Sequence, residues 1–151
     1  MKVALAGDHA GFPLKQIIKE ALAKAAKYEV VDLGTHTIEP CDYPDYAVAV
    51  GDALRSKQVE KGIVVCGSGV GVTVAANKIP GVRAGLCHDH YSAHQGVEHD
   101  DMNVLCLGAR IIGQAPALEI VDAFLAARFT REERHMRRLE KVFAIEKKYS
   151  K

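Results

Sequence analysis

The chain has 151 residues, 48% hydrophobic and 26% charged, a balance that fits one soluble globular domain and excludes disordered and low-complexity classes. With 20 Lys and Arg against 19 Asp and Glu the net charge is +1, so no global field recruits nucleic acid or acidic lipid, and any anion specificity must come from a local basic cluster. No apolar run approaches the roughly 20 residues that span a bilayer, and the opening Met1-Lys2 into Val3-Ala4-Leu5-Ala6 is too short for a signal-peptide core, so the expected location is the cytoplasm.

Short apolar runs alternate with helical periodicity, the pattern of βαβ units. The first strand reads Lys2 to Ala6, followed by Gly7-Asp8-His9-Ala10-Gly11. A helix opens near Pro13 and carries Leu14, Ile17, Ile18, Ala21, Leu22 and Ala25 as one apolar stripe. A second strand spans about Glu29 to Leu33. After a loop from Thr35 to Pro44, a helix from about Asp45 to Lys57 carries Val48, Val50 and Leu54. The third strand, Gly62 to Cys66, is apolar throughout, as a central parallel strand covered on both faces should be. A glycine-rich turn and a short helix through Ala76 follow. Then come a strand at Arg83 to Cys87, a helix at about Ser92 to Glu98, a strand at Val104 to Leu107 and a helix at about Ala115 to Arg128. The last segment, Arg131 to Lys148, is helix-permissive and rich in charge. The expected fold is an α/β three-layer, Rossmann-like domain over residues 1–151, a five-stranded parallel sheet with helices on both faces and an extra C-terminal helix.

Ligands of such sheets bind at the C-terminal ends of the strands. Those ends hold Asp8 and His9 after the first strand, Cys66-Gly67-Ser68-Gly69-Val70-Gly71 after the third, His88-Asp89-His90 after the fourth and Arg110 after the fifth. The glycine turn lacks the spacing of a dinucleotide fingerprint and the lysine of a P-loop. Alone it serves equally as a tight strand-to-helix connection. Cys66 at its head adds more, because a thiol at a helix N-terminus sits where thiolate is favoured and where amides can stabilise an oxyanion. The other cysteines, Cys41, Cys87 and Cys106, show no ligand spacing, and His90 and His94 alone make a weak metal pair. Arg134 and Arg138 share a helix face and suit a phosphate, although a solvated charged face reads the same way.

Seven motifs occur in order: Asp8-His9-Ala10-Gly11-Phe12, Asp42-Tyr43-Pro44-Asp45-Tyr46-Ala47, Cys66-Gly67-Ser68-Gly69, Ala75-Ala76-Asn77-Lys78, Asn103-Val104, Gly108-Ala109-Arg110 and Arg134-His135. Together they resemble the ribose-5-phosphate isomerase B family, which includes the galactose-6-phosphate isomerase subunits. The resemblance implies an aldose–ketose isomerase working through a cis-enediolate with neither metal nor organic cofactor. It implies Cys66 as the base, the amides of Gly67 to Gly71 as the oxyanion cradle, and His99 as the group that opens the furanose ring. Asp8, His9 and Tyr43 are implied to contact the sugar phosphate, and Arg110, Arg134, His135 and Arg138 to hold its phosphate. A homodimer, or a dimer of dimers, with sites between subunits is implied as well. Three departures stand out: Ser68 for a common threonine, Asp100 for an asparagine expected at the reacting end, and Thr130-Arg131-Glu132-Glu133 for a glycine pair. The last two leave a hexose 6-phosphate (allose or galactose) as the alternative substrate; a non-catalytic sugar-phosphate-binding subunit is the alternative of a different class.

Overall fold

Five strands and six helices account for the ordered elements of a computed structural model that describes residues 1–150. The strands are β1 (Lys2–Gly7), β2 (Glu29–Asp32), β3 (Lys61–Cys66), β4 (Ala84–Leu86) and β5 (Val104–Gly108), and every pairing is parallel in the order β2-β1-β3-β5-β4. The helices are α1 (Phe12–Ala25), α2 (Tyr43–Arg55), α3 (Val70–Ala76), α4 (His90–Asp100), α5 (Gln114–Ala126) and α6 (Glu133–Tyr149). The Rossmann-like α/β expectation holds. Helix α2 starts at Tyr43 rather than Asp45, with Pro44 in its first turn, where a missing N–H costs nothing. Helix α4 starts earlier than expected because Asp89 caps it, Oδ1 accepting from Ser92 N at 2.7 Å.

Strand alternation assigns the two faces. Val3, Leu5, Ile63, Val65, Leu105 and Leu107 point to the side covered by α1, α4 and α5. Ala4, Ala6, Val64, Cys66, Val104 and Cys106 point to the side covered by α2 and α3. Val48 of α2 is 47% exposed, so Ala47, Val50 and Ala53 carry that helix's packing instead. Helix α6 buries only His135 and Leu139 and leaves Met136, Val142, Phe143 and Ile145 exposed.

Several motif residues prove architectural. Asn77 pairs its amide with both the N–H and the C=O of Ala84, each at 2.9 Å, acting as a one-residue strand that blunts the β4 edge. Asn103 likewise accepts from Arg83 N at 2.8 Å and donates to Gly81 O at 2.9 Å.

The loop from β2 to α2 is anchored by Asp32, which accepts from Lys15 Nζ at 2.6 Å, Lys19 Nζ at 2.8 Å and Gly34 N at 3.1 Å. Burial alone would raise the Asp32 pKa, but these donors outweigh it and hold it at about 2 instead of 3.8. A depressed folded-state pKa stabilises above the unfolded value, and that stability is lost as pH falls from about 4 through about 2. Lys15 is fully buried, so Asp32→Asn strands its charge. The expected loss is about 3 kcal/mol, or roughly 10 °C in Tm, with a flattened acid limb. Thermal melts of both proteins between neutral pH and about pH 2 check this, and an unchanged melting curve at neutral pH contradicts it.

Candidate active site

Chain order fixes where the sheet opens. From β1 the chain runs outward to β2 and then returns to β3 on the other side, so the loops after β1 and β3 diverge. A cleft of about 380 Å³ lies there, lined by Asp8, His9, Ala10, Tyr43, Cys66, Gly67, Ser68, Gly71, Arg110 and Ile111. Eight of these belong to the residues singled out from sequence. Ala10 stood in the sequence only as part of the first motif, and Ile111 is an addition that the fold reveals.

Cys66 ends β3 with its side chain on the α2/α3 face, 4% exposed. Gly69 N–H donates to Cys66 Sγ at 3.1 Å, a donor aimed at the atom that would carry charge. The turn needs Gly69 in a left-handed conformation (φ +79°), and a Cβ there would also meet the Leu107 and Gly108 backbone at 2.9 and 3.0 Å. A Cβ on Gly71 would come within 2.9 Å of the Tyr43 ring, so that ring closes over the turn as the cleft wall. Ser68 Oγ accepts from Val70 N at 3.2 Å, and Val70 itself is 51% exposed beside the turn. The first-turn amides of α3 have no intrahelical acceptors, the basis of an oxyanion cradle. Arg110 lies over Gly67, its position set by Arg110 N donating to Gly67 O at 2.9 Å.

Across the cleft, Asp8 Oδ1 accepts from Gly11 N at 2.9 Å, which fixes the carboxylate in a nearly buried position. His9 Nδ1 lies 3.2 Å from Cys41 N and 3.3 Å from Cys41 O, so the Cys41 backbone holds the imidazole in place. Cys41 thus joins the site through its backbone. The only sequence signal for it is adjacency to the Asp42-Tyr43-Pro44 motif. Its thiol also hydrogen-bonds Tyr46, which raises the Tyr46 hydroxyl pKa.

His99, Asp100, Arg134, His135 and Arg138 form a second group elsewhere. Helix α4 packs on the face opposite Cys66 and runs back to the start of β5, so His99 lies at the other end of the sheet, about 14 Å along the helix from its start. Asp100 is exposed on the wall of a larger concavity, about 800 Å³, between α6 and the β4 edge. Its lining mixes apolar side chains such as Ile79, Val142 and Ile145 with the charged Lys78, Arg83 and Glu146. Arg134 and Arg138 are exposed at the start of α6, with Arg134 Nε 2.8 Å from Glu132 Oε2. His135 is 1% exposed beneath His99, a position at odds with direct phosphate contact because its ring faces protein on every side. Among the residues after β4, His88 Nε2 accepts from Gly108 N at 3.1 Å and Asp89 caps α4, so both are structural. His90 and His94 stack at 6.2 Å, and no three His, Cys, Asp or Glu side chains among the described residues cluster as metal ligands. None of the described helices is long and apolar enough to cross a membrane.

A cysteine under an amide donor, beside an acid, an imidazole and a guanidinium at the switch point of a parallel sheet, is chemically equipped to bind a small anion and move a proton. The family model for Ribose/Galactose Isomerase matches residues 3–142, and the chain belongs to that family. It is 44% identical over 147 residues to ribose-5-phosphate isomerase B of Escherichia coli (strain K12), covering 97% of each chain. The structure of Clostridium thermocellum ribose-5-phosphate isomerase B superposes with a TM-score of 0.96 at 47% identity, over 99% of this chain and 100% of that one. A Mycoplasma genitalium ribose-5-phosphate isomerase B, solved with bound ribulose-5-phosphate, gives 0.89 at 42% identity, over 97% and 96%.

Proposed function

We propose that the chain is an aldose–ketose isomerase that interconverts ribose 5-phosphate and ribulose 5-phosphate in the cytoplasm. The observation that carries this reading is the Gly69 N–H to Cys66 Sγ bond at the floor of the cleft. Cys66 moves the proton between C2 and C1, and the amides of Gly67 to Gly71 stabilise the cis-enediolate oxygens. Asp8 and His9 hold sugar hydroxyls or phosphate, and Tyr43 closes the wall. Neither metal nor organic cofactor enters the step. Four free cysteines accord with a reducing compartment.

His99, Arg134 and Arg138 complete the chemistry as ring-opening acid–base group and phosphate anchors, with Arg110 shared from the cleft. One copy keeps them apart from Cys66, so the working unit is a homodimer, alone or paired into a tetramer, that brings one copy's second group to the other's cleft. Exposed Val70, Val74 and Leu86 beside the glycine turn, and Phe143 and Ile145 on α6, give such a contact its apolar surface.

A coupled assay over pentose and hexose phosphates tests the substrate. Ribose 5-phosphate is expected to give the highest kcat/KM. A preference for allose or galactose 6-phosphate overturns the pentose assignment, and binding without any isomerisation overturns the enzyme reading.

A further inference from the structure

The seat of His99 contains a residue that the ring-opening role has not yet used. Gln95, one turn earlier on α4, brings its side-chain nitrogen to 2.7 Å from His99 Nδ1. An amide nitrogen only donates, so Nδ1 accepts, and the proton of neutral His99 sits on Nε2. His135 lies against the ring face, with centroids 4.0 Å apart and planes 28° from parallel. That platform is itself fixed. The Thr130 hydroxyl donates to Glu98 O at 3.2 Å and accepts from His135 Nδ1 at 2.6 Å, which leaves His135 Nε2 bare, shielded and without a partner. Burial first, then the like charges of His99 and Arg134, pull the His135 pKa below the usual imidazole value, with Glu132 opposing and Arg138 adding. A neutral ring underlies His99 and offers it no competing donor.

We propose that Gln95 is a positioning residue that pins His99 to the tautomer with Nε2 protonated, so that Nε2–H serves as the acid of furanose opening. This rests on the ring-opening reading of His99. As the C1–O4 bond breaks, the ring oxygen takes the Nε2 proton. The anomeric hydroxyl then gives its proton to the bared nitrogen as the C1 carbonyl forms, so the enzyme ends unchanged. The Nδ1–H tautomer would present a lone pair where the leaving oxygen needs a proton. The sequence signal is a Gln and His four residues apart, on one helix face.

The test uses full-length protein with 15N-labelled histidine at about pH 9, where an imidazole of ordinary pKa is neutral. Wild-type His99 is expected to carry its proton on Nε2, Gln95→Leu to show a mixture, and Gln95→Glu, whose carboxylate only accepts, to move the proton to Nδ1. Turnover of ribose 5-phosphate by Gln95→Glu should fall at that pH by roughly tenfold or more, since a general acid contributes about 10²–10⁴. Solvent exchange at C1 of ribulose 5-phosphate, which is acyclic, should stay within about twofold because it needs only Cys66. A wild-type proton on Nδ1, a Gln95→Glu proton still on Nε2, or equal losses in both assays overturns the role of Gln95. His99→Ala with undiminished ribose 5-phosphate turnover instead overturns the ring-opening reading on which that role rests.

Discussion

Cys66→Ala should lower kcat by about 10³ or more while the sugar phosphate still binds, because a proton-transfer base supplies roughly 10²–10⁴ and no neighbouring group replaces it. The remaining cleft residues — Asp8, His9, Tyr43 and Arg110 — are untouched, so affinity measured by calorimetry should change little. Cys87→Ala is the matched control. Burial, with Asp89 adding, pushes the Cys87 thiol up to about 11. Burial drives Cys106 to about 12 even though a Thr73 hydrogen bond pulls the other way. Neither thiol is ionised near neutral pH, and neither lines the cleft. Cys87→Ala is therefore expected to cost stability rather than turnover. Near-normal rates in Cys66→Ala would show that another group carries the proton.

The contrast among these cysteines shows which parts of the molecule were legible in the sequence. Cys66 could be read because it ends an apolar run at a glycine turn, and strand ends and turns are local features. Asp8, His9 and Arg110 followed by the same rule, each just past a strand. The sheet order β2-β1-β3-β5-β4 was not legible, since nothing local says that β5 inserts between β3 and β4. Nor was the seat of His99. The length of α4 puts that residue at the far end of the sheet, and only the assembled layers show that α4 covers the face turned away from Cys66. His135 looked like one more polar residue in a basic stretch, because its burial depends on stacking with His99, a contact made between helices distant in sequence. The pairing of Asn77 with Ala84 was equally out of reach, although its motif was visible.

Because the second group lies away from the cleft, Arg134→Ala or Arg138→Ala should weaken phosphorylated substrate by tenfold or much more while barely affecting the unphosphorylated sugar. Truncating one partner of a desolvated charge pair costs about 2–5 kcal/mol, and about 1.4 kcal/mol is tenfold in affinity. Both arginines are exposed in one copy, where a surface pair such as Arg134 with Glu132 contributes little. The large loss therefore requires that a second copy cover them. Inhibition constants for the two sugars, measured on variants that keep their oligomeric state, give the ratio, and equal losses or none return these arginines to a solvated helix face. Subunit mixing then separates a shared site from a self-contained one. In a two-fold dimer with shared sites, a Cys66→Ala copy paired with an Arg134→Ala copy has one site with both defects and one with neither. Random exchange makes half the dimers hybrid, so activity should recover to about a quarter of wild type. If each copy carried its own complete site, every site in the mixture would hold one defect and no recovery would be seen.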